Sequence, residues 1–265
     1  MAETLNISNF PELASINKNQ PISLVLIHGW GLNSAVWQPF IESLPDSFFG
    51  VFNIITLDLP GFGTNVDIDI HPYSLAHICQ CINQTISQPA IYLGWSLGGL
   101  VATEMTLRYP EKVLGLITVA SSPFFLEEDK KEMDNQGLWP GIKPKILQAF
   151  HQQLQLDIKK TISGFLKIQA MGSPHIRQDI KQISQLVFQH QMPNQLTLDQ
   201  SLKLLEVSDY RKRLKDISQP FLRIYGDADS LVPNAAIEKV RKIAENSDQL
   251  IIKQASHAPF ISHTD

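Results

Sequence analysis

Ser96 lies in the run Gly94-Trp95-Ser96-Leu97-Gly98, directly after the apolar stretch Ala90-Ile91-Tyr92-Leu93. A serine between a strand and a helix, flanked by glycines, sits on a sharp turn that exposes its hydroxyl at the edge of a sheet. Side chains on either flank would collide in so tight a turn. The bare pattern is common; the apolar run before it and the helix-like run Leu100 to Tyr109 after it give it weight. A serine is a poor nucleophile alone and needs a base. His257, in Ser256-His257-Ala258-Pro259, is placed to take its proton. An acid that fixes the imidazole tautomer is expected in Tyr225-Gly226-Asp227-Ala228-Asp229-Ser230-Leu231-Val232-Pro233. Asp229 is preferred because it immediately precedes Ser230-Leu231-Val232-Pro233, whereas Asp227 reads as a turn residue. The oxyanion of such a reaction needs two backbone N–H donors. Leu97, directly after Ser96, supplies one, and Trp30 in the loop His28-Gly29-Trp30-Gly31 the other. His28 reads as a loop-shaping side chain and Asp58 as a turn residue. His71, His77, His151, His175 and His190 read as surface or interface groups, and His263 lies several residues past the last strand.

These residues need elements to hold them. Ile22 to Ile27 is a short β-rich run that reads as a buried strand. Asn33 or Ser34 caps a helix through about Leu44, which Pro45 ends. Asn53 to Leu57 is a second strand, and Ser74 caps the next helix. There Leu75, Ile78, Ile82 and Ile86 keep helical spacing. That helix carries Cys79 and Cys81, which point apart and read as free thiols. Ala90 to Leu93 and Val113 to Val119 are further strands, so strands and helices alternate as in a parallel sheet built from βαβ units. From about Pro123 to Ser218 only helical patterns and loops follow, with helices near 145–155, 157–170, 176–190 and 197–206. The alternation resumes with Phe221 to Tyr225, a helix from Pro233 to about Asn246, and the strand Gln249 to Lys253. The expected division is a core of residues 1–122 and 219–265 with a helical insertion of residues 123–218.

The chain order Ser, Asp, His on this alternation is that of the α/β-hydrolase fold: a mostly parallel central sheet with an inserted helical lid. Five core segments go further. They are His28-Gly29-Trp30-Gly31-Leu32-Asn33, Asp58-Leu59-Pro60-Gly61-Phe62-Gly63, the run from Gly94 to Ala102, Val119-Ala120-Ser121-Ser122-Pro123 and the run from His257 to His263. With Trp139-Pro140-Gly141-Ile142-Lys143-Pro144 and the run from Phe165 to Gly172 in the insertion, the sequence from about residue 22 onward closely resembles the pimeloyl-[acyl-carrier protein] methyl ester esterases of biotin synthesis. The resemblance implies hydrolysis of the methyl ester of pimeloyl held on acyl carrier protein, with release of methanol. It implies Ser96, Asp229 and His257 as the triad and Trp30 and Leu97 at the ester. Phe165, Leu166, Lys167, Ile168 and Gln169 would line the acyl channel, and Lys160, Arg177 and Lys181 would meet the carrier. Two departures stand out. The stretch from about Phe125 to Leu138 is longer and more charged than the family's lid entrance, and the sequence reaches Thr264-Asp265 where the family continues into a further helix that would cover an apolar face of the sheet.

Composition narrows the alternatives. The chain has 265 residues, 43% of them hydrophobic, and a net charge of -4, which argues against nucleic acid or an anionic membrane as the main partner. Met1 to Gln20 lacks a basic start followed by an apolar core, and the longest apolar run, near Ile22 to Ile27, is far short of the ~20 residues of a membrane span. A cytoplasmic monomer without metal or organic cofactor is expected. The competing readings are a broader serine hydrolase (esterase, thioesterase or C–C hydrolase) and a hydrolase-like binding protein. A dehalogenase is disfavoured because the turn carries Ser96 in place of an aspartate.

Overall fold

Seven strands form one sheet in the computed structural model, which describes residues 3–10, 21–128 and 138–263. In chain order they are β1 (Ile7–Phe10), β2 (Ile22–Ile27), β3 (Phe52–Leu57), β4 (Ala90–Trp95), β5 (Val113–Val119), β6 (Phe221–Gly226) and β7 (Asp248–Ile252). Their order across the sheet is β1-β3-β2-β4-β5-β6-β7. β1 runs antiparallel to β3, and every other neighbouring pair is parallel. The central strands are covered on both faces, which is why β2 reads as an unbroken apolar run with Val25, Leu26 and Ile27 fully buried. β1 is not expected from sequence. Its Ile-Ser-Asn-Phe has three exposed residues and no apolar alternation, and it exists through its pairing with Ile54 to Leu57.

The connecting helices follow from local caps and apolar spacing. Asn33 accepts the Ala35 N–H, but it opens a 3-10 turn over Ser34–Trp37, and the helix proper, α1 (Gln38–Ser43), starts after it. A short α2 (Asp46–Phe49) follows Pro45. Ser74 accepts the His77 N–H and starts α3 (Leu75–Thr85), which buries Leu75, Ile78 and Ile82. Cys79 and Cys81 lie there as buried free thiols, and burial pushes the Cys79 thiol well up, which makes it a poor nucleophile. α4 (Leu97–Arg108) begins one residue after Ser96, three residues earlier than the periodicity indicates. Between β5 and β6, which are sheet neighbours, lie α5 (Pro144–Leu154), α6 (Ile158–Ala170), α7 (Ile176–Val187) and α8 (Gln195–Val207). Asp157 and Asn194 cap α6 and α8 through the N–H groups of Lys160 and Thr197. α9 (Asn234–Ile243) links β6 to β7, and α10 (Pro259–Ser262) follows.

The insertion is tied at its base. The Ile142 N–H reaches the Phe125 carbonyl at 2.7 Å, and the Arg211 guanidinium lies 4.3 Å from the centre of the Phe124 ring. Residues 129–137, most of the segment expected to be long and charged, and Thr264 and Asp265 lie outside the described residues. Among the histidines expected at the surface, His71 is exposed. His151 bridges two helices, with Nδ1 2.6 Å from Asp199 and Nε2 3.1 Å from Glu206, both on α8. No helix among the described residues is long and apolar enough to cross a membrane.

Candidate active site

Three loops at the carboxyl ends of β4, β6 and β7 converge. β4 turns into α4 at Ser96, whose φ of 56° and ψ of -116° lie in a region that L-residues rarely adopt. The turn closes only because Gly94 lacks a side chain, since a Cβ there would lie 2.0 Å from the Gly98 carbonyl oxygen. The Ser96 N–H is held by the Val119 carbonyl of β5 at 3.0 Å. Strain of this kind persists where the surroundings over-determine it and presents one hydroxyl in one place.

β6 ends in the loop that carries both aspartates, and they do different things. Asp229 is buried; its Oδ1 accepts the N–H groups of Leu231 at 2.8 Å and Val232 at 3.1 Å. Its Oδ2 lies 2.8 Å from Nδ1 of His257. Asp227 instead accepts the Gln254 N–H at 2.6 Å and pairs with Lys253 at 3.4 Å, which folds the turn after β7. With a carboxylate on Nδ1, the imidazole carries its proton there and presents the Nε2 lone pair. That Nε2 is buried and has no hydrogen-bond partner. Ser96 and His257 are each only 1% exposed. No bond joins Ser96 Oγ to His257 in this structure; such bonds are often long before substrate tightens them.

The backbone of His257 is held from both sides. Its N–H reaches the Gln169 carbonyl of α6 at 3.2 Å, and its carbonyl accepts the Trp95 indole N–H at 2.7 Å. Neither anchor was legible from sequence, because the partners are distant in the chain and one of them is a backbone atom. Trp95, the residue before Ser96, thereby holds the His257 backbone.

The two expected oxyanion donors sit beside Ser96. Leu97 is the first residue of α4, so its N–H has no intrahelical acceptor. Trp30 follows Gly29, which lies so close that a Cβ on it would come 3.3 Å from Ser96 Cβ. The Trp30 indole donates to the Leu198 carbonyl of α8 at 3.0 Å, and its ring meets Phe165 edge-on at 4.9 Å. His28 shapes this loop. Its Nε2 accepts the Leu59 N–H at 3.0 Å, so Nδ1 bears the proton and donates to the Gly29 carbonyl at 2.8 Å. Burial lowers the His28 pKa, which the Asp58 charge and the bond to Gly29 only partly offset. Asp58 holds the turn through the N–H groups of Ser34 and Thr64.

The run Phe165 to Gln169 does not face one way. Phe165, Leu166 and Gln169 are buried, Ile168 is half-buried, and Lys167 points to solvent. A helix turns ~100° per residue, so five consecutive residues cannot all line one channel, and the expectation for Lys167 is corrected. Both amide atoms of Gln169 are buried without a partner. Lys160 on α6 and Arg177 and Lys181 on α7 are all exposed, and none has an ion pair among the described residues. Ser121 is a further residue that the sequence did not single out by role. It follows β5 and donates its hydroxyl to the Ser96 carbonyl at 2.8 Å. A polar residue at the carboxyl end of the strand beside β4 was the available signal. Among the described residues no three histidine, cysteine or carboxylate side chains cluster as metal ligands.

A strained serine, a histidine whose second nitrogen is buried without a partner, a carboxylate on the other nitrogen and backbone N–H groups beside the serine are the parts needed for acyl transfer. Comparison with known proteins agrees with this chemistry. Residues 22–264 match the family described as alpha/beta hydrolase fold. A pimeloyl-[acyl-carrier protein] methyl ester esterase from Shewanella woodyi is 42% identical over 261 residues, covering 98% of this chain and 95% of the relative. Proteins of the same name from Vibrio vulnificus and Aeromonas hydrophila are also 42% identical, over 94% and 91% of this chain and 92% and 90% of their own. Among solved structures, an esterase from Exiguobacterium antarcticum superposes with a TM-score of 0.79 at 19% identity, covering 98% of this chain and 94% of its own. A bromoperoxidase from Bacillus anthracis gives 0.74 at 17%, covering 97% and 90%. At those identities the structural likeness concerns the fold alone.

Proposed function

Since the chain belongs to the α/β-hydrolase fold family, and within it to the pimeloyl-[acyl-carrier protein] methyl ester esterases, we propose that it hydrolyses the methyl ester of pimeloyl-[acyl-carrier protein] to the free acid and methanol in biotin synthesis. It is a carboxylic ester hydrolase. The observation that carries the mechanism is the buried Asp229–His257 pair with Nε2 left free.

In acylation, Ser96 Oγ attacks the ester carbon while His257 Nε2 takes its proton. The carbonyl oxygen becomes an oxyanion between the N–H groups of Trp30 and Leu97. Asp229 stabilises the imidazolium. The intermediate collapses as His257 returns the proton to the departing methoxide, which leaves as methanol. Water then adds to the Ser96 ester with the same histidine as base, and the pimeloyl carboxylate is released. No step calls for a metal or an organic cofactor.

Residues 123–218 act in this reading as a lid over a core of residues 1–122 and 219–265. Phe165, Leu166, Ile168 and Gln169 flank the acyl chain. Because Ser96 and His257 are almost inaccessible, an ester reaches them only when the covering helices shift. The carrier meets the exposed face of α6 and α7 through Lys160, Arg177 and Lys181. Residues 141–190 hold seven lysines and arginines against two aspartates, a net of +5 on a chain of net -4. A basic patch of this kind steers an acidic partner. We place the protein in the cytoplasm as a monomer, where a carrier-bound substrate is made.

The test is release of methanol from pimeloyl-carrier methyl ester, set against the Ser96→Ala variant. Methanol release that disappears with Ser96→Ala is the expected result. Turnover of simple p-nitrophenyl esters without carrier ester hydrolysis would indicate a broader esterase, and no turnover of either a non-catalytic binding protein.

A further inference from the structure

The peptide between Ser96 and Leu97 is held from behind, and this points to a second tier of the oxyanion site. In a trans peptide the C=O and the N–H point in opposite directions. Fixing the Ser96 carbonyl therefore fixes the aim of the Leu97 N–H. That carbonyl accepts two bonds, from the Gly99 N–H at 2.9 Å and from the buried Ser121 hydroxyl at 2.8 Å. We propose that Ser121 is a positioning residue that locks and polarises the Ser96–Leu97 peptide so that the Leu97 N–H meets the oxyanion.

Two further features converge on this bond. Ala120 holds a φ of 46°, which bends the chain as it leaves β5, while its N–H stays tied to the Ile224 carbonyl of β6 at 2.8 Å. The bend brings the next residue, Ser121, to the Ser96 carbonyl. Gly99 leaves the room for it, since a Cβ there would lie 2.4 Å from both Cβ and Oγ of Ser121. The opposite donor is built the same way. The Gly29 carbonyl, on the peptide that carries the Trp30 N–H, accepts His28 Nδ1–H at 2.8 Å. Each donor peptide thus has a buried side chain bonded to its carbonyl, although the two come from different parts of the chain. A carbonyl that accepts a hydrogen bond makes the N–H of the same peptide a stronger donor, because linked bonds polarise one another. The benefit is largest when negative charge develops, so it belongs to the transition state more than to substrate binding.

The inference rests on Ser96 as nucleophile and Leu97 as donor, and the experiment separates the two. Wild type, Ser121→Ala and Ser96→Ala are compared on a p-nitrophenyl ester and on a trifluoromethyl ketone inhibitor. Ser96 Oγ adds to the ketone carbon and its proton passes to His257 Nε2, which leaves an oxyanion in the site. Loss of one neutral hydrogen bond predicts that Ser121→Ala lowers kcat about 2- to 12-fold with KM nearly unchanged. Affinity for the ketone should fall by the same factor, and affinity for a simple carboxylate product by less than about twofold. Unchanged kcat and ketone affinity in Ser121→Ala, with Ser96→Ala inactive, would overturn this role and leave the nucleophile standing. Turnover retained in Ser96→Ala would overturn the reading beneath it. Equal losses for ketone and carboxylate would reduce Ser121 to packing and overturn the proposal. If Ser121→Ala fails to unfold cooperatively, Ser121→Cys replaces it. Its thiol is a weak donor of similar shape, expected to give an intermediate kcat, and wild-type kcat and ketone affinity would equally overturn the role.

Discussion

Replacing Asp229 with Asn should cripple catalysis through a proton in the wrong place, with the fold left intact. The carboxylate takes three bonds: Oδ1 accepts the N–H groups of Leu231 and Val232, and Oδ2 faces Nδ1 of His257. An amide has one acceptor and one donor end. If its oxygen stays at the Oδ1 position, the two backbone donors keep their partner and the NH2 faces His257. If it flips, two buried N–H groups meet an NH2, at about 1–3 kcal/mol each, or roughly 2–6 kcal/mol together. The first orientation wins. Nδ1 must then accept, the ring proton moves to Nε2, and the nitrogen that should take the Ser96 proton is blocked. Restoring the productive tautomer costs about 4 kcal/mol, the middle of that range, which is on the order of 10³ in rate. Losing the anion beside the imidazolium adds about 1.5–3 kcal/mol, for a total of roughly 5.5–7 kcal/mol, or about 10⁴ to 10⁵ in kcat. Asp227→Asn is the control. Its oxygen keeps the Gln254 N–H, and it loses only the ion pair with Lys253, whose side chain is 83% exposed. Its turnover should stay within about threefold, because exposed pairs contribute little. The assay is p-nitrophenyl ester hydrolysis by both purified variants, with thermal unfolding as a check on the fold. Equal losses, or a larger loss at Asp227, would refute the reasoning.

Reversing Lys160, Arg177 and Lys181 to Glu should weaken turnover of carrier-bound ester at least tenfold at low salt and leave p-nitrophenyl esters within about twofold. The carrier effect should shrink as salt rises, because the Debye length is about 8–10 Å at 0.1–0.15 M; equal losses on both substrates would show a damaged lid, and no loss would show a solvated surface. Stability should also carry the signature of His28. Its folded pKa lies below the ordinary 6.5, so the unfolded chain binds the extra proton first as pH falls. Its contribution is complete above about pH 6.5 and declines below it, at up to about 1.4 kcal/mol per pH unit for one proton. Chemical denaturation of wild type and His28→Asn between pH 5 and pH 8 should differ by that slope, and parallel pH profiles would contradict it.

The sequence by itself determined what is local. The strand before Ser96, the glycines around it, the cap at Ser74 and the apolar spacing of α3 are written in neighbouring residues, since the forces that set them act within one or two turns of chain. The order of Ser96, Asp229 and His257 and the lid motifs were legible in the same way, and so was the family. The tertiary structure decided whatever joins distant segments. β1 exists only through its register with β3, and its own residues carry no strand signal. Packing brings the Asp229 carboxylate to His257 Nδ1, while Asp227 two residues earlier accepts the Gln254 N–H. The anchoring of His257 by Trp95 and Gln169, the Ser121 bond to the Ser96 carbonyl and the outward turn of Lys167 depend on how strands stack and where a helix points its faces. A hydrogen bond between residues 162 positions apart leaves no periodicity to read, because only the packed sheet brings its two ends together.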